Sequence, residues 1–499
     1  MADEREHNAD QRQTKYHAKS QKAIQITNSI ATFIAKDLRP YGIVGSQEFR
    51  ALIKTLDPRY TVPSRKHFSD QIIPTMYNRV TNHVKRSLMQ AEQTRTMPEN
   101  HTGENIAQGL KATMEELTFN PKSPVYIVSD NAANMLKAGE LLGCDLHLGC
   151  YAHTLNIAAQ KALKVKTVSN MLAKVRRIVA FFHRSAVAAN AFKLQADLLG
   201  IPNKKLKIDV VTRWNSAYEM IERYLKVQVA VVGALLSKDV KNKDKDLKFL
   251  QDEELQVAED YVKCLKPLKS ITTTLCTEKN ASISIILPLH RRLCDQLLES
   301  SEENSHDVRE LKATILHDLK HKYQKSYNFL LQCTFMDPRF KTLPFLDEVE
   351  KSNVHHAIIT DLYDPESEAT LEPPVKKVKK EKLENPEKND NLDDLLGDVF
   401  VTKVEKPRPI LQRIEDEVHR YTDLEPIPLM LDPLLWWKSH ESILPLFSRK
   451  ARQLLCIPAT SVPSKRVFST TGDILSAQRS TLKSKHVDYL IFLKKNMKV

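Results

Sequence analysis

Apolar residues recur at helical spacing through most of this chain. In the first such stretch they share one helix face that ends before Pro40, and they are Ile26, Ile30, Phe33, Ile34 and Leu38. Only 11 of the 499 residues are glycine, so few positions interrupt the pattern. A chain of this length also has room for several domains, each with its own core. The spacing therefore predicts a mainly α-helical protein.

Two short segments break the helical pattern. Residues 125–128 form an apolar run that predicts a buried strand, and residues 146–150 predict a second short strand. The first segment leads into Ser129-Asp130, and helix-patterned residues follow both segments. We therefore predict a fold that is mainly α with a small α/β core.

Charge and cysteine usage limit the environment in which the chain works. The net charge is +13, and the last 51 residues hold eleven Lys or Arg against two Asp. Such a basic surface attracts phosphate without reading sequence, although a solvated helix face has the same composition. Seven scattered cysteines include no Cys-x-x-Cys pair, which predicts free thiols in a reducing compartment. The polar N-terminus and the short longest apolar run, Val229 to Leu236, predict an intracellular protein without membrane contact.

Residues 362–408 hold prolines and charges but few aromatic residues, which predicts disorder. A compact basic cluster follows Pro373-Pro374 and predicts either a nuclear import signal or a plain solvated linker. The import residues would be Lys376, Lys377, Lys379, Lys380 and Lys382. The stretch Val378-Lys379-Lys380-Glu381 also fits the pattern for SUMO attachment at Lys379, although so short a pattern also arises by chance. The import signal predicts a nuclear protein.

The most specific motif lies within residues 456–473 and includes Pro463-Ser464-Lys465-Arg466-Val467-Phe468-Ser469. It resembles the C-terminal signature of hAT-superfamily transposases and of the BED zinc finger proteins derived from them. In that family the motif reads Pro-Ser-Glu-Arg-x-Phe-Ser and carries a catalytic glutamate. Here Lys465 stands at the glutamate position, and an ammonium group cannot coordinate a divalent metal. The resemblance implies a transposase body that has lost its chemistry.

A second motif, Ser129-Asp130-Asn131-Ala132-Ala133-Asn134-Met135, matches the segment that holds the family's second catalytic aspartate. Asp130 would be that residue's remnant, or it would cap the following helix. The segment with the first catalytic aspartate is missing, because the chain passes from Leu88 almost directly to Thr94. No cysteine precedes Cys144, so we expect no BED finger in this chain. We therefore predict no catalytic residue, no metal and no cofactor, in an incomplete ribonuclease-H-like fold interrupted by a large helical insertion.

Three further motifs follow the family's order. Arg213-Trp214 matches a family element in which the tryptophan can stack on an unpaired base and the arginine can bind phosphate. The alternative is that both residues only anchor the helical insertion to the core. Cys150-x-x-His153 offers too few ligands for zinc and predicts a packed thiol beside a histidine. The stretch from Met336 to Lys341 predicts only a turn that ends a helix.

The block from residue 409 onward resembles the hAT dimerisation region. We expect a homodimer whose apolar contact is made by Trp436, Trp437, Leu444, Phe447, Val467, Phe468, Val487, Leu490, Ile491 and Leu493. Non-specific DNA contact would use Arg213, Trp214, Lys465, Arg466, Arg479, Lys483 and Lys485.

Together these patterns divide the chain into six parts. They are a disordered N-terminus (1–20), a helical N-terminal region (21–90), a partial ribonuclease-H-like core (91–165), a helical insertion (166–361), a disordered linker (362–408) and the hAT C-terminal dimerisation region (409–499). The predicted protein is a catalytically inactive, domesticated hAT transposase. It would act as a nuclear, dimeric regulator of transcription that associates with DNA or chromatin and with nuclear proteins. Two alternatives stay open: an active DNA transposase or nuclease, and a SUMO-pathway adaptor, similar to a SUMO ligase, for transcription factors.

Overall fold

The computed structural model describes residues 14–87, 99–116, 124–130, 132–201, 204–240, 247–277, 282–300, 304–363, 409–465 and 483–497. The chain forms two compact units, the first from Met1–Leu148 with Ser461–Val499 and the second from Gly149–Thr460. The predicted dimerisation region is therefore shared between the two units. The disorder predicted for residues 362–408 falls almost wholly on residues 364–408, outside the described part of the chain.

Helices dominate both units, which confirms the expectation of a mainly helical protein. The main helices of the first unit are Gln21–Lys36, Gln47–Leu56, Ile73–Ser87, Gly103–Glu116, Ala133–Leu142 and Ser484–Asn496. Those of the second unit are Tyr151–Ala162, Lys166–Arg184, Ala186–Leu198, Trp214–Leu236, Asp252–Thr277, Ile286–Arg292, His306–Leu319, Tyr327–Phe335, Glu348–Leu362, Ile410–Asp423, Pro433–His440 and Pro445–Leu455. Among the described helices, none combines the length and the hydrophobicity needed to span a bilayer.

The first and the last described helices share one apolar core. Helix Gln21–Lys36 starts at Ser20, whose hydroxyl accepts the N–H of Ala23, and buries the face that the sequence predicts. The C-terminal helix Ser484–Asn496 packs into the same core through four buried side chains, Val487, Leu490, Ile491 and Leu493. The ammonium of Lys36 also donates to the carbonyls of Lys494 and Met497, at the end of that helix. The first and the last described helices thus complete the core of the first unit.

Pro74 does not break the helix in which it lies. Its nitrogen carries no hydrogen and its ring would clash with the carbonyl four residues earlier. The backbone widens into a π-helical turn over Phe68–Ile72, in which the N–H of Ile73 bonds to the carbonyl of Phe68. The proline then follows at the start of helix Ile73–Ser87. A local change of helix type therefore absorbs the proline.

The described residues hold one sheet of two strands, β1 (Tyr126–Ser129) and β2 (Leu146–Gly149), joined by helix Ala133–Leu142. The N–H of Asp145 donates to the carbonyl of Val125 at 2.9 Å, so the two strands start side by side and run in the same direction. The helix begins only at Ala133, after an N-cap without a side-chain hydrogen bond. The alternative in which Asp130 caps this helix is therefore wrong.

The motif from Met336 to Lys341 forms a buried junction in the second unit, where the sequence predicted only a turn. Asp337 is 0% exposed and Arg339 is 5% exposed, and the two side chains form an ion pair with Nη2 and Oδ2 2.8 Å apart. Asp337 also accepts the hydroxyl of Ser284 at 2.7 Å. The indole N–H of Trp437 donates to the carbonyl of Met336 at 2.9 Å. The turn therefore ties helices that are distant in sequence to one another.

Lys341 and Glu417 hold two helix ends beside this junction. The buried ammonium of Lys341 donates to the carbonyl of Tyr421 at 2.6 Å and to the carbonyls of Thr422 and Leu424, at the end of helix Ile410–Asp423. The carboxylate of Glu417 accepts the backbone N–H groups that open helix Pro445–Leu455. Burial lowers the pKa of Lys341 and raises the pKa of Glu417.

Candidate functional site

Asp130 and Lys465 meet in the first unit, at the C-terminal end of β1. The Lys465 ammonium lies 3.0 Å from Oδ2 of Asp130, and both side chains are partly exposed. The sequence resemblance places these two residues at the positions of the family's second catalytic aspartate and catalytic glutamate. An ammonium group donates hydrogen bonds and carries positive charge, so it neutralises the carboxylate and repels a cation. These two side chains therefore do not fit a pair of catalytic magnesium ions.

A half-buried histidine contacts Ser129, the residue before Asp130. The imidazole Nε2 of His147 is 2.7 Å from the hydroxyl of Ser129, and burial lowers the pKa of His147. Gly139 allows this close packing, because a Cβ there would lie 2.9 Å from Nδ1 of His147 and 3.2 Å from Sγ of Cys144. Burial therefore disfavours the protonated form of this histidine, which is a packed group beside the end of β1.

The described residues do not assemble a metal centre around Cys150-x-x-His153. Cys150 is buried immediately before helix Tyr151–Ala162. In the described part of the chain, one cluster brings its possible ligand atoms within 4.8 Å of one another, and it consists of His306, Asp307 and Glu310. That cluster lies at a helix start with two of its three side chains exposed, an arrangement common without any ion.

Arg213 and Trp214 stand at the start of helix Trp214–Leu236 and differ in exposure. Trp214 is 1% exposed and packs edge-on against Tyr218, with ring centroids 6.4 Å apart. An indole buried in this way offers no face on which a base could stack. Arg213, the residue before the helix, is exposed. Arg213 is therefore accessible to a phosphate group at the surface, whereas Trp214 is part of the core.

Most residues predicted to form the dimer contact are buried inside their own chain. Trp436 is half-buried and stacks on His440 with ring centroids 3.9 Å apart. The fully buried members in the second unit are Trp437, Leu444 and Phe447, and those in the first are Val487, Leu490, Ile491 and Leu493. Val467 and Phe468 lie outside the described residues. The contact between chains stays a prediction, and its buried members stabilise the monomer.

An exposed apolar surface lies elsewhere in the same region. Its residues, Leu429, Met430, Leu431 and Leu435, all expose at least half of their side-chain surface, and Met430 is 95% exposed. We call these four residues the 429–435 surface. In the sequence, this surface corresponds to three consecutive apolar residues directly after Pro428. A search for helical spacing does not find it, because these residues do not recur at helical intervals. A cluster of exposed apolar side chains commonly marks an interaction site.

Two of the remaining residues predicted to contact DNA, Lys483 and Lys485, are exposed at the start of the C-terminal helix. Lys483 precedes helix Ser484–Asn496 and is exposed, and the ammonium of Lys485 lies 5.6 Å from the ring centroid of Tyr489. Two residues of that set, Arg466 and Arg479, lie outside the described residues. The import residues Lys376, Lys377, Lys379, Lys380 and Lys382, with Lys379 as the SUMO acceptor, do so as well. DNA contact by these residues therefore stays a prediction.

Comparisons with known proteins locate two family regions in the chain. Residues 416–497 match the hAT family C-terminal dimerisation region, and residues 148–264 match the ZBED1 RNase-like helical domain. The first match supports self-association. The first match falls within the predicted dimerisation block, and the second overlaps both the predicted core and the predicted helical insertion.

Several curated proteins are similar over much of the chain. Zinc finger BED domain-containing protein 4 of Homo sapiens is 25% identical over 97% of this chain and 44% of that protein. A Zea mays protein named for AC transposase is 24% identical over 79% of this chain and 51% of its own length. A Talaromyces stipitatus protein named for transcriptional regulation is 24% identical over 77% of this chain and 47% of its own length. This chain spans about half the length of these relatives. The chain thus carries a hAT dimerisation region and a ZBED1 RNase-like helical domain, and it is related to hAT transposases and BED zinc finger proteins.

Proposed function

We propose that this transposase-derived chain is a nuclear regulator of transcription that self-associates and does not cleave DNA. The observation that carries the proposal is the 3.0 Å ion pair between Lys465 and Asp130. Two-metal DNA cleavage needs carboxylates that bridge two cations, and here one carboxylate already faces an internal cation. The relationship to BED zinc finger proteins and to a transcriptional regulator supports the regulatory part.

The catalytic part is tested by restoring a carboxylate. In calorimetry, Mn²⁺ added to the purified chain should give no more heat than Mn²⁺ added to buffer. The purified chain should also not nick supercoiled DNA in the presence of Mg²⁺ or Mn²⁺. Lys465→Glu should gain Mn²⁺ binding, because the ammonium is replaced by a second carboxylate near Asp130. Lys465→Gln is the matched control, since it removes the charge without adding a ligand. Metal-dependent nicking by the unaltered chain, abolished by Asp130→Ala, would favour the transposase or nuclease alternative.

The self-association part needs a surface that one chain leaves uncovered. We propose that the 429–435 surface makes this contact, because it lies in the matched dimerisation region and most of the other predicted contacts are buried. Obligate dimers bury on the order of 2,000 Å² or more around an apolar centre. These four side chains would form that centre, with neighbouring polar groups at the rim.

Point substitutions test this contact better than truncation, since removing the C-terminal block would also remove core helices. Met430→Glu and Leu435→Glu should each convert the dimer to a monomer in sedimentation velocity at micromolar concentration. The matched control is Val349→Glu, another exposed apolar position in the second unit but outside the matched region. A dimer that survives both test substitutions would exclude this surface.

A further inference from the structure

Residues 204–213 form a segment outside the helices and strands, ending in a turn, that is fixed to the second unit at several points. The side chain of Leu206 is buried, and its carbonyl lies 2.9 Å from Nε2 of His183. Asp209 pairs with Arg176, with 2.6 Å between Oδ2 and Nη2. Farther along, the N–H of Val210 donates to the hydroxyl of Ser216 at 2.8 Å. The anchors hold this segment in one conformation, so the outward direction of its other side chains is fixed.

Three of the outward side chains are apolar and β-branched. Ile208 and Val210 are each about half exposed, and Val211 is 74% exposed. The carbonyl of Val211 accepts the side-chain amide of Gln160 at 3.2 Å, so this end of the segment is also held. Covering such side chains contributes about 25 cal/mol for each Å² removed from water. The segment therefore presents an apolar ridge of three side chains, each of which the described part of the chain leaves about half or more exposed.

Uncompensated positive charge surrounds this ridge. Lys204, Lys205 and Arg213 are exposed, and Nη1 of Arg223 lies 3.5 Å from the carbonyl of Lys205. None of these four cations forms an ion pair with a residue in the described part of the chain. In contrast, Lys207 in the same segment is neutralised by Glu219 at 2.8 Å. The free cations are therefore the ones available to an external anionic group.

We propose that Lys204, Lys205, Ile208, Val210, Val211, Arg213 and Arg223 form a docking surface for an acidic protein segment that carries apolar side chains. Carboxylates of that segment pair with the cations, and its apolar side chains cover the ridge. Charge complementarity selects an anionic partner, and the ridge distinguishes a peptide from a phosphate backbone, which makes no use of apolar side chains. The buried indole of Trp214 points the same way, because it offers no base-stacking face. This inference rests on the proposed regulatory function, for which it names a class of partner.

The test uses a fluorescein-labelled synthetic peptide of about twelve residues in which glutamate or aspartate alternates with leucine or valine. Anisotropy of this probe on the full chain should show saturable binding. Val210→Ser/Val211→Ser should weaken binding about tenfold or more through lost apolar burial. Lys204→Gln/Lys205→Gln should weaken binding by a similar factor at low salt and less at high salt.

Two double substitutions at residues outside the proposed surface, in the same unit, serve as matched controls. Leu194→Ser/Leu198→Ser removes exposed leucines from helix Ala186–Leu198, and Lys320→Gln/Lys325→Gln removes exposed lysines. Both controls should leave the affinity for the peptide unchanged within about twofold. Equal losses in test and control variants would show that only overall charge or hydrophobicity matters, and would overturn the proposal.

Two further probes separate the competing explanations. An all-glutamate peptide of the same length should bind at least about tenfold more weakly, and equal binding would mean that the ridge plays no part. A DNA duplex should not depend on Val210 and Val211. If only the duplex binds, and only the lysine substitutions weaken it, the surface is a nucleic-acid site and the proposal is wrong. Nicking and dimer assays use other residues, so the proposed function can fail or stand independently of this result.

Discussion

The buried ion pair between Asp337 and Arg339 gives the sharpest prediction for stability. Asp337→Asn keeps the shape of the side chain but places an amide where Oδ2 faces the guanidinium at 2.8 Å, so two donors meet. Removing one partner of a buried pair leaves an uncompensated charge, which costs about 3–5 kcal/mol. With a urea slope of about 3 kcal/mol/M, the unfolding midpoint of the second unit should fall by about 1 M or more.

A double-mutant cycle separates this pair from a general loss of packing. Asp337→Asn and Arg339→Met should each destabilise strongly, whereas the double variant should be less destabilised than the sum, with a coupling above about 2 kcal/mol. All three tryptophans, at positions 214, 436 and 437, lie in the second unit, so tryptophan emission follows its unfolding directly.

The control cycle uses the exposed pair of Lys137 and Glu140, with the two side chains 52% and 71% exposed. The coupling energy from alanine substitutions of these two residues should be below about 0.5 kcal/mol. Unfolding is measured here by far-ultraviolet circular dichroism, because the first unit has no tryptophan. If the buried and exposed pairs gave the same coupling, burial would not be the cause and the reasoning would fail.

Three further outcomes follow from single side chains. Burial raises the folded-state pKa of Glu417, so its contribution to stability is present below about pH 4 and is lost as pH rises through the folded pKa. Glu417→Gln should flatten this dependence in urea unfolding across pH 4 to 7. Burial lowers the pKa of His290 to about 4, so the second unit should lose about 3 kcal/mol as pH falls from about 6.5 to 4, and His290→Phe should abolish that loss. Gly139→Ala should destabilise the first unit by about 1–3 kcal/mol through a clash with His147, whereas Gly42→Ala, with open space around it, should be nearly neutral in circular dichroism melts.

Local patterns in the sequence were sufficient to predict the mainly helical character and both strands. Ile30 and Ile34, which the helical spacing of apolar residues assigns to one face, are both buried. Strands β1 and β2 lie within one residue of the predicted segments. Helical spacing says which face is apolar but not what covers it. That is why Val487 and Leu490 were assigned to a contact between chains, whereas the structure places them in the chain's own core.

Long-range contacts account for what the sequence did not predict. Nothing in a turn-like stretch around Asp337 shows that Ser284, more than fifty residues earlier, will reach its carboxylate. The only sign of the junction in the sequence is its composition, in which charged residues stand between apolar ones. In the same way, the replacement of the catalytic glutamate by Lys465 was visible in the motif, but its pairing with Asp130 depends on how the chain returns to the end of β1.

The shared core of helices Gln21–Lys36 and Ser484–Asn496 has a consequence for how the protein is made. A ribosome releases the N-terminal helix hundreds of residues before the helix that completes its core exists. The second unit, which is one continuous stretch of chain, can fold while synthesis proceeds. The first unit must wait until helix Ser484–Asn496 has been made, with its apolar face uncovered until then, and it is the unit that termination before this helix or chaperone loss would damage first.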